Sequence, residues 1–363
     1  MPAYDAFLLV SFGGPEGPAD VMPFLENVTR GRGVPRARIA AVAEHYYAFG
    51  GVSPINQQCR EMLAAVRADF AGRGLLLPVY WGNRNWAPYL TDVVRAMADD
   101  GVRRAVAFVT SAYSSYSSCR QYLENIERAR AAAGPDAPRI DKIRRFYNHP
   151  GFIESFADNA RAALAALPAE VRGEAHLVFT AHSVPVTMAE TSGPCGGRYV
   201  AELTEASRLI AERICDGHHP WSLAYQSRSG PPSVPWLEPD VRDHLGELAK
   251  SGTRAVVVIP VGFVSDHMEV RHDLDVEAAQ TAGSLGLAFA RAATPGTSPR
   301  FASMISDLVE ERLALPEGTA GTVRDPTAPD TTVPDTTVPD NPALGRLGGP
   351  SQTCPADCCG GTR

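Results

Sequence analysis

Leu177-Val-Phe-Thr-Ala-His-Ser-Val-Pro185 carries the pattern from which the architecture follows. Residues 177–180 form a short, mostly apolar run of strand-forming types that stops at Ala181-His182, and a proline follows within three residues. A run of that length bounded by small and turn residues is the mark of a buried strand. The same pattern recurs at 6–12 before Gly13-Gly14-Pro15, 77–81 before Gly82-Asn83 and 105–110 before Ser111. It recurs again at 223–225 before Gln226-Ser227 and 255–260 before Val261-Gly262. Between these runs lie stretches with apolar residues at helical spacing: 57–70, 89–100, 120–133, 152–167 and 199–215. Alternating strands and helices with near-continuous apolar strands imply parallel sheets covered on both faces, the α/β class. In that architecture ligands lie beyond the C-terminal ends of the strands, so the loops just quoted are where chemistry is expected.

The chain has 363 residues, and at roughly 150 residues per domain it is expected to hold two such sheets. Its net charge of −7, with no long basic run, argues against nucleic acid, whose phosphates need clustered Lys and Arg. The longest apolar run, 255–264, is far short of a bilayer span. The N-terminal residues Met1-Pro-Ala-Tyr-Asp5 lack a basic signal-peptide region, so a cytoplasmic location with reduced thiols is expected. Residues 316–363 differ in composition. They carry no aromatic residue and repeat Thr-Thr-Val-Pro-Asp in tandem, with Asp325, Asp330, Asp335 and Asp340 at intervals of five. Such a segment buries too little apolar surface to offset its chain entropy, and a disordered acidic linker is expected there.

Three loops carry chemistry. Gly13-Gly14-Pro15 lacks the third spaced glycine of a dinucleotide site and the Lys-Ser/Thr of a P-loop, so no nucleotide is expected. It reads as a tight turn, although glycines there would also let a flat ligand approach the backbone. His182 directly follows a buried strand, where an imidazole can accept a proton or coordinate a divalent metal at neutral pH. In Ser265-Asp-His-Met-Glu-Val-Arg-His-Asp-Leu-Asp-Val-Glu277, the carboxylates Glu269, Asp273 and Glu277 are spaced by four and fall on one helix face. Like charges at that spacing cost a helix about 0.2–0.5 kcal/mol per pair. The bland reading is a solvated acidic face. The functional reading is a row of hard oxygen ligands along which a divalent cation travels.

At these residues the chain resembles the ferrochelatases. The segments Phe179-Thr-Ala-His182-Ser-Val-Pro185 and Val264-Ser-Asp-His-Met-Glu269 look like the family's two signature segments. Leu8-Leu-Val-Ser-Phe-Gly-Gly-Pro15, Gly50-Gly-Val-Ser-Pro-Ile-Asn56 and Tyr225-Gln-Ser-Arg-Ser-Gly-Pro-Pro232 are similar too, in the family's order across most of residues 4–315. The resemblance implies two Rossmann-like domains of chelatase type with a porphyrin cleft between them. They are expected at 1–147, completed by a C-terminal helix within 295–315, and at 148–294, ahead of the tail. It implies insertion of Fe2+ into a porphyrin without a nucleotide, with His182 and Glu269 as the catalytic, iron-binding pair. Which of the two is base and which is ligand stays open at this stage. Asp273 and Glu277 would form the metal-delivery or proton path.

Porphyrin contacts carried over from the family fall on Ser53 and Tyr122. Arg30 and Arg32, in Thr29-Arg-Gly-Arg-Gly33, could pair bidentately with propionates, or be ordinary surface arginines. Phe12 stands where many coproporphyrin-type relatives have a tyrosine able to ligate iron, and Phe cannot coordinate. Residues 30–56 lack a continuous apolar lip for taking porphyrin from lipid, which favours coproporphyrin III, with four propionates, over protoporphyrin IX, with two. The resemblance is greatest to the actinobacterial branch, which acts on coproporphyrin III. A protoporphyrin IX ferrochelatase and a non-catalytic haem or porphyrin carrier are the alternatives, and a monomer is expected. Cys354, Cys358 and Cys359 cluster at the end of the linker, where thiolate ligation is the most physical purpose. Cys119 matches the internal cysteine that completes a [2Fe–2S] cluster in cluster-bearing ferrochelatases. A zinc clip or plain tail thiols are the other readings.

Overall fold

The computed structural model describes residues 4–214, 217–315, 343–351 and 358–360. Eight strands form two four-stranded sheets. The first holds β1 (Ala6–Ser11), β2 (Val79–Asn83), β3 (Arg104–Val109) and β4 (Arg139–Lys142) in the order β2-β1-β3-β4. The second holds β5 (His176–His182), β6 (Trp221–Gln226), β7 (Ala255–Ile259) and β8 (Ala288–Arg291) in the order β6-β5-β7-β8. Every pairing is parallel, so the two halves share one topology. The six runs picked out by hydrophobicity are β1, β2 and β3 of the first sheet and β5, β6 and β7 of the second. The remaining strands, β4 (Arg-Ile-Asp-Lys) and β8 (Ala-Phe-Ala-Arg), lie at one edge of each sheet, are four residues long and carry charge, and so give no apolar run.

One apolar core runs through both halves, joining Phe7, Leu9, Phe108, Phe146 and Phe152 to Leu177, Phe179, Val257 and Ile259. The helix Pro299–Leu313 seats Phe301 against Phe108, Phe146 and Phe152 and packs on the helices Ile55–Arg73 and Pro150–Ala166. Its polar side is tied to the first half. Arg73 binds Asp307 and Glu310, Arg144 meets Glu311 at 2.8 Å with both side chains buried, and Arg312 Nε donates to Tyr4 Oη at 2.7 Å. Buried charges are tolerated only when paired in this way.

A further apolar cluster caps the segment after β7. The helices Pro18–Val28 and Arg36–Tyr47 pack Val21, Phe24, Leu25, Ile39, Ala43 and Tyr46 around Met268, which comes from the loop after β7. Within the C-terminal tail, Leu344 and Leu347 pack against the main core. Asn148 Nδ2 donates to the carbonyls of Leu344 and Gly348 at 3.0 Å each, and the Leu344 amide donates back to Asn148. The repeat segment and Cys354 lie outside the described residues. Among the described residues no helix is long and apolar enough to cross a membrane.

Candidate active site

The ends of β5, β6 and β7 build the site. His182 closes β5 and is in register with Gln226, the last residue of β6. The loop after β7 is pressed onto the end of β5: Gly262 donates to Thr180 O at 3.0 Å, and a Cβ on Gly262 would sit 2.7 Å from Ala181 Cβ. That close approach brings the following helical segment, and Glu269 with it, across from His182. The His182 Nε2 to Glu269 Oε2 distance is 3.6 Å, and both side chains are partly open to solvent. The other ring nitrogen, Nδ1, faces the Ser183 carbonyl, while Tyr199 Oη donates to His182 O at 2.9 Å. A carbonyl accepts only, so Nδ1 carries a proton and Nε2 is the nitrogen that faces the Glu269 carboxylate. In the neutral ring Nε2 offers a lone pair, and the gap to the carboxylate suits a proton or a cation; in the protonated ring the two groups form an ion pair.

The carboxylate row does not ride a regular α-helix. Met268–Val270 is one α-turn, Arg271–Ala278 is π-helical, and Ala279–Ser284 returns to α. The wider π-turn is rare and gathers at functional sites, and here it packs His272 in with two of the acids. One ligand atom each from His272, Asp273 and Glu277 falls within 4.8 Å of the others. Asp273 accepts from the Ser227 hydroxyl and from Gln226 Nε2, and Ser227 takes a left-handed backbone (φ 61°) to reach it. Burial pushes the Asp273 carboxyl up to about 6, helped by Glu269 and Glu277 and opposed by the Ser227 hydrogen bond. Arg242 approaches Glu277 at 3.5 Å, and the His272 ring stacks on His45 of the covering helix at 3.7 Å. His267 is held below the usual imidazole range by burial, with Glu269 opposing that shift and His182 adding to it. Burial keeps the Tyr46 hydroxyl protonated, and Glu269 adds to the effect. His45, Tyr46, His267 and His272 carry no spacing signal of their own. Only the fold, which lays one half over the other, reveals them.

The expected porphyrin residues fare differently. Phe12 is exposed at the end of β1, edge-on to Phe24. Tyr122 is buried beneath the Arg84 guanidinium, 4.4 Å from its ring centre. Ser53 is buried, its Cβ 2.6 Å from where a side chain on Gly14 would begin. The room that Gly13 and Gly14 leave is thus taken by Asn83 and Ser53 rather than left open for a ligand. Arg30 and Arg32 are exposed in the loop after Pro18–Val28.

The cysteines reach the second half. Cys358 and Cys359 are buried with their sulfurs 3.8 Å apart, and the Gly193 amide donates to Cys359 Sγ at 3.1 Å. Cys119 is buried on the π-turn Tyr116–Arg120, where Ser117 touches Met188 of the helix preceding Gly193.

Compared with known proteins, residues 4–313 match the ferrochelatase family model. The chain is 52% identical to the coproporphyrin III ferrochelatase of Streptomyces griseus over 98% of its own length and 93% of that protein's. It is 57% identical to the enzyme of that name from Mycolicibacterium smegmatis, covering 86% of this chain and 90% of that one. The one from Nocardia farcinica is 58% identical over 86% and 89%. Among solved structures, SirB from Bacillus subtilis with Fe3+ superposes with a TM-score of 0.52 over 85% of this chain and 95% of that one. Its identity is only 13%, so this likeness speaks to the fold alone.

Proposed function

The chain belongs to the ferrochelatase family, and from that premise we propose that it inserts Fe2+ into coproporphyrin III to give Fe-coproporphyrin III. The observation that carries the reading is the facing pair of His182 Nε2 and Glu269 Oε2, 3.6 Å apart at the strand ends. Metallating a porphyrin means removing two pyrrole protons and stripping water from Fe2+. A neutral imidazole whose lone pair faces a carboxylate can take a proton and keep the resulting cation paired. The same two groups can hold a ferrous ion during transfer. The order of events follows from the electrostatics. With the imidazole neutral, a cation can enter between the two groups, and the protons released from the ring replace it once the metal has moved on.

Behind the pair, His272, Asp273 and Glu277 supply one nitrogen and two oxygens within reach of a single ion. This supports a path on which iron loses water stepwise and protons leave the other way. Porphyrin contacts are assigned to Phe12, Ser53, Tyr122 and Arg30. For Ser53, which is buried, the contact would require the Gly14 turn to shift. A four-carboxylate porphyrin travels in water, which fits a monomeric cytoplasmic enzyme in haem biosynthesis. The division of the chain into 1–147 and 148–294 belongs to the same reading.

Cys119, Cys354, Cys358 and Cys359 are proposed to hold a [2Fe–2S] cluster. The buried sulfurs of Cys358 and Cys359 and the N–H···S bond from Gly193 suit thiolate ligation, since amide donors stabilise cluster sulfur. Bound, such a cluster supplies a one-electron centre, and no step of metal insertion runs through it. Protein purified without oxygen should be brown and contain iron and acid-labile sulfide, both lost in Cys119→Ser. Zinc in their place, or no metal at all, contradicts the assignment.

The assignment of Glu269 is tested by Glu269→Gln. Metallation should fall at least a hundredfold while porphyrin binding, followed by fluorescence, changes less than about threefold, as expected for a group acting on the reaction rather than on binding. Retained turnover overturns the role given to Glu269.

A further inference from the structure

We propose that Arg84 binds one of the porphyrin carboxylates and sets the preference for a four-carboxylate ring. This inference rests on the function proposed above. Arg84 lies in the loop after β2, its amide bonded to Ser11 O at 2.9 Å. Its guanidinium is 5.7 Å from the ring centre of Phe12 and 4.4 Å from that of Tyr122, so it joins two residues assigned to the porphyrin wall. Its Nε is buried with no acceptor, and among the described residues no carboxylate pairs with it. The nearby Glu124 is engaged by the Tyr116 hydroxyl at 3.0 Å and Arg120 Nε at 3.3 Å.

The neighbouring charges sharpen the point. Burial lowers the proton affinity of Arg84, Tyr122 partly restores it, and Arg32 and Arg128 act against it as like charges. Arg84, Arg32 and Arg128 thus bear on one another as like charges from three separate elements, while Glu124 is already engaged by Tyr116 and Arg120. Such a half-buried, unpaired guanidinium is unfavourable until an anion arrives, and its planar fork matches a carboxylate. Protoporphyrin IX and coproporphyrin III share two propionates, and the second ring adds two more. The carboxylate placed at Arg84, between Phe12 and Tyr122, is assigned to one of the two that coproporphyrin III adds, and the comparison of the two porphyrins tests that assignment.

The test is metal-free fluorescence titration of the purified full-length chain with coproporphyrin III and with protoporphyrin IX. Wild type is compared with Arg84→Gln, which can still hydrogen-bond Tyr122, and with Arg84→Lys. Losing a charged hydrogen bond predicts a Kd for coproporphyrin III about tenfold to a hundredfold weaker in Arg84→Gln. The Kd for protoporphyrin IX should move less than threefold, and Arg84→Lys should recover part of the loss. An equal loss for both porphyrins would mean that Arg84 merely packs on Tyr122, and no loss would mean that it touches neither; either result overturns the proposal. Should Arg84→Gln not fold, Arg84→Met, which keeps the stem over Tyr122, carries the same comparison. Because binding is read without iron, a wild type that binds but does not turn over would refute the proposed function and leave this test intact.

Discussion

At the scale of single residues, the site is a balance between acceptors that need a cation and cations that need an acceptor. His182 and Glu269 were legible in the sequence because each follows directly on an apolar strand or its loop, in segments with a family resemblance. Arg84 was not, since a lone arginine in a loop has no spacing to betray it, and only the missing partner at its buried Nε marks it. Asp273 gives a measurable consequence. Its carboxyl titrates near 6 in the folded chain against 3.8 for the ordinary group. Between those values the native state holds a proton that the unfolded chain has lost, so stability falls as pH rises through the window. Asp273→Asn removes that penalty. In metal-free buffer the variant should be more stable than wild type by on the order of 3 kcal/mol at pH 7.5. The gain should vanish at pH 3.5, as read by chemical denaturation at both values. A gain of equal size at both pH values would mean that the carboxyl is not raised.

At the scale of elements, six strands and the helices between them follow from apolar runs and helical spacing. What escaped has a common cause. The edge strands β4 and β8 and the covering helices Pro18–Val28 and Arg36–Tyr47 each bury only a few residues, and the first of these helices contains Pro23. None presents a long apolar stripe. Spacing by four reads alike on an α- and a π-helix, so Arg271–Ala278 was indistinguishable from an ordinary turn in sequence. The join between β5 and the loop after β7 carries the site's geometry and can be tested. Gly262→Ala places a methyl 2.7 Å from Ala181 Cβ and 2.8 Å from Ala181 Cα, so the backbone next to His182 must yield. A cost of about 1–3 kcal/mol in stability is expected. With it should come a drop in kcat larger than any change in porphyrin Kd. Unchanged stability and kcat would show that this contact does not set the position of His182.

At the scale of the whole molecule, two sheets of one topology share a core, and the helix Pro299–Leu313 is clamped to the first half by Arg73, Arg144 and Tyr4. That arrangement packs both halves around one apolar core. Phe12, Arg84 and Tyr122, proposed as the porphyrin wall, come from the first half of the chain, and the proposed metal groups from the second. The doubled α/β plan was legible in sequence from repeated strand-and-loop runs. The cover of one half by the other was not, because Met268 joins Phe24 and Tyr46 only once the chain has folded. Metallation of a four-carboxylate porphyrin by this frame is tested by anaerobic fluorescence loss with Fe2+, run in parallel on coproporphyrin III and protoporphyrin IX with the same full-length preparation. The kcat/KM should be at least tenfold higher for coproporphyrin III. Equal or greater activity with protoporphyrin IX, or binding of both rings with metallation of neither, would contradict it.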